Sequence, residues 1–504
     1  MYTEYTIFWK NWQDDTLYFI DFIDKNCITT VKKSSVVDGE KSSGISIKGD
    51  SMNEHQQKKN PLGYEKLSRL LAGYAIPSII AMLVSSLYNI VDQIFIGQGV
   101  GYLGNAATNV SFPLNTICMA LALLIGIGCA SGFSLELGAD EPENAARYVG
   151  TAVSMMAVAG VIYVVIVQIF LYPLLKMFGA TEAVMPYAVS YTRITTLGMP
   201  FLIATNGLSN LARADGSPKY SMTCMLVGAV INTILDPIFI FVFHMGVAGA
   251  AWATIIGQIA SFGIAFRYLW KFKHVTLKKE YFKLDRKRCA TVAGLGMSSS
   301  LNQLAITLVQ IVLNNSLIYY GARSIYGSEI PLASCGIVMK TNGILMAVII
   351  GICQGSQPIL GFNYGAEQYE RVRNVFKLAI SCAFCVSSVC FILFQFFPGY
   401  IISIFGSGDA QYMEFAIKFM RTFLFMVLVN GVQMLSSSMF SAIGKPLKGA
   451  LLSLTRQVFF LIPLILILPL FFGIDGALYA GPVADAGAFL LSVCLVRQEF
   501  KKMQ

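Results

Sequence analysis

The stretch Arg267-Tyr-Leu-Trp-Lys-Phe-Lys-His-Val-Thr-Leu-Lys-Lys-Glu-Tyr-Phe-Lys-Leu-Asp-Arg-Lys-Arg288 packs nine Lys and Arg into 22 residues between long apolar segments. Six apolar runs precede it, at 70–97, 106–133, 145–172, 186–212, 219–243 and 247–270. Six follow, at 288–320, 331–355, 372–397, 411–441, 447–471 and 475–497. Each exceeds the ~20 residues that a helix needs to cross a ~30 Å hydrocarbon core. Continuous apolar runs, in place of ten-residue alternations, exclude a transmembrane β-barrel. The chain therefore reads as an all-α integral membrane protein of twelve transmembrane helices.

Composition agrees. Of 504 residues, 55% are hydrophobic and 13% charged, and 20 of the ionisable Asp, Glu, Lys and Arg fall in the first 69 positions. That leaves too little polar surface for a soluble fold. The net charge of +9 suggests a nucleic-acid partner in a soluble protein, but its distribution gives another cause. With even parity both termini share one side, and that side collects Lys58, Lys59, Lys66, Arg69, Arg147, Arg213, Lys219, Arg371, Arg373, Lys377, Lys445, Lys448, Arg497, Lys501, Lys502 and the 267–288 stretch. The opposite loops carry only Lys176 and Arg323. Positive-inside asymmetry places both termini in the cytoplasm, on a multi-pass protein of the cytoplasmic membrane, with lipid as surroundings and no nucleic-acid partner.

The expected organisation is a cytoplasmic extension over 1–61, an N-lobe over 62–270, a basic linker over 271–287, a C-lobe over 288–497 and a tail over 498–504. The first 51 residues mix aromatics, acids and lysines without a spanning run or signal peptide. Lys48-Gly49-Asp50 before Met52 can be encoded by a purine-rich tract like a bacterial ribosome-binding site, so Met52 is the expected natural start, with a disordered tail as the alternative.

Covalent chemistry has little to work with. Eleven cysteines lie singly along apolar segments apart from Cys382, Cys385 and Cys390, and buried structural thiols are expected in preference to a zinc site or disulfide. His55, His244 and His274 are far apart, and no HExxH, GxSxG or GxxxxGK[ST] occurs. The chain does not read as an enzyme, and no cofactor is expected.

The halves resemble each other at three places. Gly128-Cys-Ala-Ser-Gly-Phe-Ser-Leu-Glu-Leu-Gly138 parallels Gly351-Ile-Cys-Gln-Gly-Ser-Gln-Pro-Ile-Leu-Gly361. Ala214-Asp-Gly-Ser-Pro218 parallels Ala442-Ile-Gly-Lys-Pro446 at an offset of 228, and Gly246-Val-Ala-Gly-Ala-Ala-Trp-Ala253 parallels Gly473-Ile-Asp-Gly-Ala-Leu-Tyr-Ala480 at 227. Six being even, both halves enter from the same side, so the six-helix lobes are related by a pseudo-two-fold axis along the membrane normal. Two such bundles around a cleft make an alternating-access transporter.

Charges inside spans are expensive, ~2.5–3.5 kcal/mol near the centre, and need a partner, a wet cavity or a task. In the N-half these are Asp92 and Asp236. Asp92, Asp236 and Thr254 sit at one depth below the outer boundary, and Asn232, four residues before Asp236, shares its helix face. Two carboxylates, an amide and a hydroxyl form an oxygen-rich cage suited to Na⁺. It suits H⁺ equally, because two neighbouring carboxylates out of water resist ionising together. Structural hydrogen bonding between helices is the plainer alternative. Pro77 gives span 1 a bending point, while Tyr88, Asn89, Asn206 and Asn210 can line an aromatic, amide-rich chamber for organic cations.

These residues resemble the multidrug and toxic compound extrusion (MATE) transporters over about 62–497. The motifs are Pro77, Val91-Asp-Gln-Ile-Phe-Ile-Gly97, Arg213-Ala-Asp-Gly-Ser-Pro218, Asn232-Thr-Ile-Leu-Asp-Pro237 and Gln354-Gly-Ser-Gln-Pro-Ile-Leu-Gly-Phe-Asn-Tyr-Gly365. The resemblance implies a two-lobed exporter of cationic or amphipathic drugs in exchange for H⁺ or Na⁺, acting as a monomer. It implies coupling at Asp92, Asn232, Asp236 and Thr254 in the N-lobe, a chamber tyrosine at Tyr88 and a hinge at Pro77. The C-half has Lys340, Arg421, Arg456 and Asp485 in its spans. Ion pairing and snorkelling are the expected roles, with Arg421 matching Arg193; the sharper reading gives Lys340 or Arg456 to the central cleft. A cationic cleft also keeps a second function open, that of a lipid-linked oligosaccharide flippase of the same superfamily.

Overall fold

The computed structural model describes residues 60–405 and 410–503. The extension before Asn60, with Met52 and His55, lies outside them. Twelve long helices occupy the twelve apolar runs. The first six are α1 Leu67–Val100, α2 Tyr102–Gly138, α3 Pro142–Ile169, α4 Met185–Ala214, α5 Pro218–Val242 and α6 Gly246–Arg267. The second six are α7 Arg286–Gly321, α8 Glu329–Gly365, α9 Tyr369–Phe396, α10 in two pieces Ala410–Phe423 and Val427–Ala442, α11 Pro446–Phe472 and α12 Ile474–Lys502. Ten are long and apolar enough to span alone, and the two pieces of α10, bent by 48°, make an eleventh. The run 411–441 is thus one broken span and not a continuous helix. The twelfth, α4, is more polar because Thr192, Thr195, Thr196, Thr205, Ser209 and Asn210 are buried against neighbouring helices, so packing and not lipid dictates its composition.

The turns repeat as the helices do. Gly216 (φ 82°) and Gly444 (φ 77°) each precede a proline, Pro218 or Pro446, that opens the next helix. Gly246 (φ 58°) and Gly473 (φ 57°) start α6 and α12. Positive-φ backbone without a Cβ penalty gives sharp reversals at equivalent places, and in the first pair a proline that needs no N–H partner opens the next helix.

The lobes interlock through reciprocal glycine contacts. Gly138 packs on the carbonyl of Phe362 and Gly365 on that of Leu135. Between α2 and α7, Gly128 faces the Val292 carbonyl and Gly296 that of Leu124; between α8 and α1, Gly355 faces Ala75 and Gly351 faces Ile79. Gly128 is therefore the counterpart of Gly355, at an offset of 227. The sequence alignment of Gly128 with Gly351 is one helical turn out of register, because small residues recur every four positions along both helices. All these contacts lie in the half of the bundle that holds the start of α1 and the end of α12.

Arg193 and Arg421 also prove equivalent: their carbonyls accept from Gln168 at 2.7 Å and from Gln395 at 2.8 Å. The linker is fastened to the first lobe. Buried Asp215 accepts from the Tyr268 hydroxyl at 2.7 Å, from the backbone N–H groups of Lys273 at 2.7 Å and His274 at 3.2 Å, and lies 2.9 Å from His274 Nδ1. The cysteines divide: Cys118, Cys129, Cys224, Cys335 and Cys353 are buried as expected, but Cys382, Cys385 and Cys494 are exposed on the outside of the bundle, where lipid replaces a packed core.

Candidate functional site

Asn232 and Asp236 stand one turn apart on α5, just before the helix widens into a π turn over Ile238–Val242. Such turns often accompany functional sites in helices. Helices α1, α5 and α6 pack together and bring Asp92 and Thr254 to this pair. The Asn232 amide donates to Asp236 Oδ1 at 3.3 Å and lies 3.2 Å from Thr254 Oγ1, whose hydroxyl donates to the Ala250 carbonyl at 3.0 Å. The Asp92 and Asp236 carboxyls are near neighbours in this compartment. Asp236 and Asn232 are buried and Asp92 is half-buried.

Three oxygens here lack a hydrogen-bond partner though buried: Asp92 Oδ1, Asn232 Oδ1 and Asp236 Oδ2. An unpaired buried acceptor costs ~1–3 kcal/mol, so three in one compartment call for a cation or a proton. Thr254 supplies a fourth oxygen, its own proton being directed at Ala250. The set fits Na⁺, which takes hard oxygen ligands, and fits a proton shared between carboxylates. The donors are two carboxylates, an amide and a hydroxyl, with no thiolate or imidazole among them.

Tyr88, one turn before Asp92, lies close to both carboxylates, as does Tyr191 of α4. Tyr191 was not anticipated from the sequence, although it stands six residues into α4, ~9 Å from that helix's end, in the same depth band as the aspartates. Above the site Ile96, Ile240, Val247 and Ala250 form a buried apolar cluster, joined by Phe95, Val100 and Tyr191. It lies between the site and the end of the bundle away from the termini.

The other expected chamber residues are placed differently. Asn89 is exposed and donates to the Ser85 carbonyl at 2.7 Å. Asn206 is half-buried and donates to the Leu202 carbonyl at 3.0 Å. Asn210 donates to the Asn206 carbonyl at 2.9 Å and accepts from buried Arg213 at 3.1 Å. Pro77 lies inside a continuous α1, flanked by Ala75 and Ile79, the two residues that touch Gly355 and Gly351 of the other lobe.

Among the described residues the C-lobe has no copy of this site. With the register set by the glycine contacts (offset 217 for α1 and α7) and by the turns, the positions of Asp92, Asn232, Asp236 and Thr254 correspond to Val309, Phe460, Leu464 and Gly481. Its buried acids are instead paired with cations: Asp485 Oδ1 with Arg456 Nε at 2.5 Å, and Glu499, near the end of α12, with Lys445 and Lys448.

Twelve helices in two pseudo-symmetric lobes, with one buried acidic site confined to the first, define a membrane transporter. The MatE family pattern matches residues 77–238 and 296–467, and the chain belongs to that family. It is 26% identical over 447 residues to the multidrug export protein MepA of Staphylococcus saprophyticus, covering 87% of this chain and 96% of that one. To MepA of Staphylococcus aureus strain MSSA476 it is 26% identical over 424 residues, covering 84% and 92%. Among solved structures, a MATE transporter in the bent conformation superposes with a TM-score of 0.80 at 23% identity, covering 87% of this chain and 96% of that one. An outward-facing multidrug resistance MATE transporter of the MOP superfamily gives 0.82 at 23% identity, with 88% and 98% covered.

Proposed function

We propose that the protein is a secondary multidrug exporter of the cytoplasmic membrane, exchanging organic cations or amphipathic compounds for inward H⁺ or Na⁺, and working as a monomer with both termini in the cytoplasm. The cluster of unpartnered oxygens on Asp92, Asn232 and Asp236 carries this reading, with Thr254 completing the site. Loading it neutralises a buried pair of like charges, which changes how α1 packs against α5 and α6; Pro77, at the contact with α8, is where that change is passed to the other lobe. Tyr88 links the ion site to the substrate chamber. The orientation follows from the basic excess around the terminal loops.

The flippase reading needs cations free to hold a pyrophosphate. Arg456 is committed to Asp485, and Arg421 Nε donates to the Gln395 carbonyl at 2.9 Å, so of Lys340, Arg421 and Arg456 a single cation, Lys340, is left for it, too few for a pyrophosphate. Dye efflux from inverted vesicles under separately imposed Na⁺ and pH gradients tests the proposal. One gradient should drive export, and Asp236→Asn should lower the driven rate at least tenfold. A variant that exports like wild type, with the same ion dependence, refutes the coupling role.

A further inference from the structure

Among the described residues, the charged side chains deep in the C-lobe spans are engaged, with one exception. Arg456 has Asp485, Arg421 has the Gln395 carbonyl, and Lys418 has Asp475 at 2.6 Å. Lys340 has no ion pair and no hydrogen bond, and is exposed eleven residues into α8, ~16 Å along the helix. An ammonium at that depth costs ~2.5–3.5 kcal/mol unless water reaches it.

Helix geometry gives the direction in which Lys340 points. At 3.6 residues per turn it lies within about 20° of Gly351 and about 60° of Gly355 around α8, and those glycines touch Ile79 and Ala75 of α1. Lys340 therefore faces the opposite lobe, not lipid. The antiparallel pairing of Gly355 with Ala75 and Gly351 with Ile79 brings Lys340 level with Ile90, but here the helices no longer touch. Gly336 and Gly343, one turn to either side, have open space where a Cβ would project. Across the gap α1 turns exposed Asn89 and Gln93 to this side. Asp92 and Tyr88 point the other way, into the N-lobe. One wall of the cleft thus carries a bare ammonium, and behind the other wall, at similar height, lies a pair of carboxyls.

We propose that Lys340 binds an anionic group of the substrate, so that the preferred cargo is an aromatic zwitterion bearing a carboxylate and not a simple cation. The inference rests on the export reading and refines its substrate class. A dipolar amphiphile places its anion on Lys340 and its cationic ring system toward the acidic lobe; a plain cation meets only repulsion at the C-lobe wall.

Rhodamine 110, a zwitterion with a free carboxylate, and rhodamine 123, its methyl ester, share one xanthylium and differ in this group alone. Binding of each to purified full-length protein in micelles is measured by fluorescence anisotropy. Wild type should bind rhodamine 110 about fivefold more tightly, the upper range for an ion pair that keeps water access. Lys340→Gln should abolish the preference and Lys340→Arg should retain it. Should the glutamine variant not yield monodisperse protein, the wild-type order and the arginine variant decide. Equal or tighter binding of rhodamine 123 to wild type, or an unchanged preference in Lys340→Gln, overturns the proposal. So does displacement of rhodamine 110 by equimolar phosphatidylglycerol, which would give the lysine to a lipid headgroup. Gradient-driven export of both dyes without preference sinks this inference alone; no binding and no export of either dye sinks the export reading with it.

Discussion

Gly296 offers the most direct perturbation of the lobe interface. A Cβ there would lie 1.8 Å from the Leu124 carbonyl oxygen and 2.6 Å from its carbon. Side-chain carbons are essentially never found within 3.0 Å of such an atom, so Gly296→Ala requires α7 and α2 to separate locally by at least about 1.2 Å. Both atoms in conflict belong to backbone, and no rotamer change relieves them. Overpacking of this kind costs ~1–3 kcal/mol. Because the contact joins the two lobes at the terminal end of the bundle, the cost falls on this arrangement and not on one that parts them there. A bias of 1–3 kcal/mol moves such an equilibrium by roughly 5- to 150-fold. Spin labels at Lys219 and Leu447, exposed residues in the first turns of α5 and α11, would report it by pulsed dipolar spectroscopy as growth of a longer-distance population. Gly294→Ala is the control, since its Cβ would meet only Pro446 Cγ at 3.7 Å. Superimposable distance distributions for wild type, Gly296→Ala and Gly294→Ala would refute the claim that this contact holds the lobes together.

Thr254→Ala removes one oxygen of the proposed ion site and should weaken apparent affinity for the coupling ion about tenfold, the worth of one hydrogen bond to a charged group, measured from the ion dependence of dye efflux; an unchanged dependence removes Thr254 from the site. Asp485→Ala strands Arg456 and should destabilise the protein by ~3–5 kcal/mol, whereas joint replacement by Arg456→Met and Asp485→Leu should restore most of it. Thermal unfolding in detergent distinguishes the two, and equal losses would show that the pair does more than neutralise itself. Asp215→Ala should free the linker, so limited trypsin treatment should cut between Lys271 and Arg288 several-fold faster than in wild type; equal rates would mean that the hydrogen bonds to Asp215 do not fasten it.

Much of the fold was legible because lipid imposes a simple rule on sequence: the apolar runs gave ten helices outright. The rule fails where protein replaces lipid. Span α4 carries its hydroxyls inward, and the break after Phe423 has no proline or glycine to announce it. The repeat register went astray at Gly128 because spaced glycines match equally well one turn apart, and only the carbonyls they touch decide between the alternatives. At the site, depth and the spacing of Asn232 and Asp236 were readable, since buried charge stands out in apolar helices. Tyr191 was not, because tyrosine is ordinary in a span, and Asn210 serves Arg213 in a way that spacing does not reveal.

The plug of Ile96, Ile240, Val247 and Ala250 over the aspartates bears on the order of events. In the exchange proposed above, this packed hydrocarbon lies on one side of the site, so an ion reaches it from the other, past Tyr88, from the space between the lobes that the compound also uses. Two cargoes that must use one corridor cannot pass each other, so each has to leave before the other is admitted. On the proposed reading, exchange then follows from traffic as well as from charge.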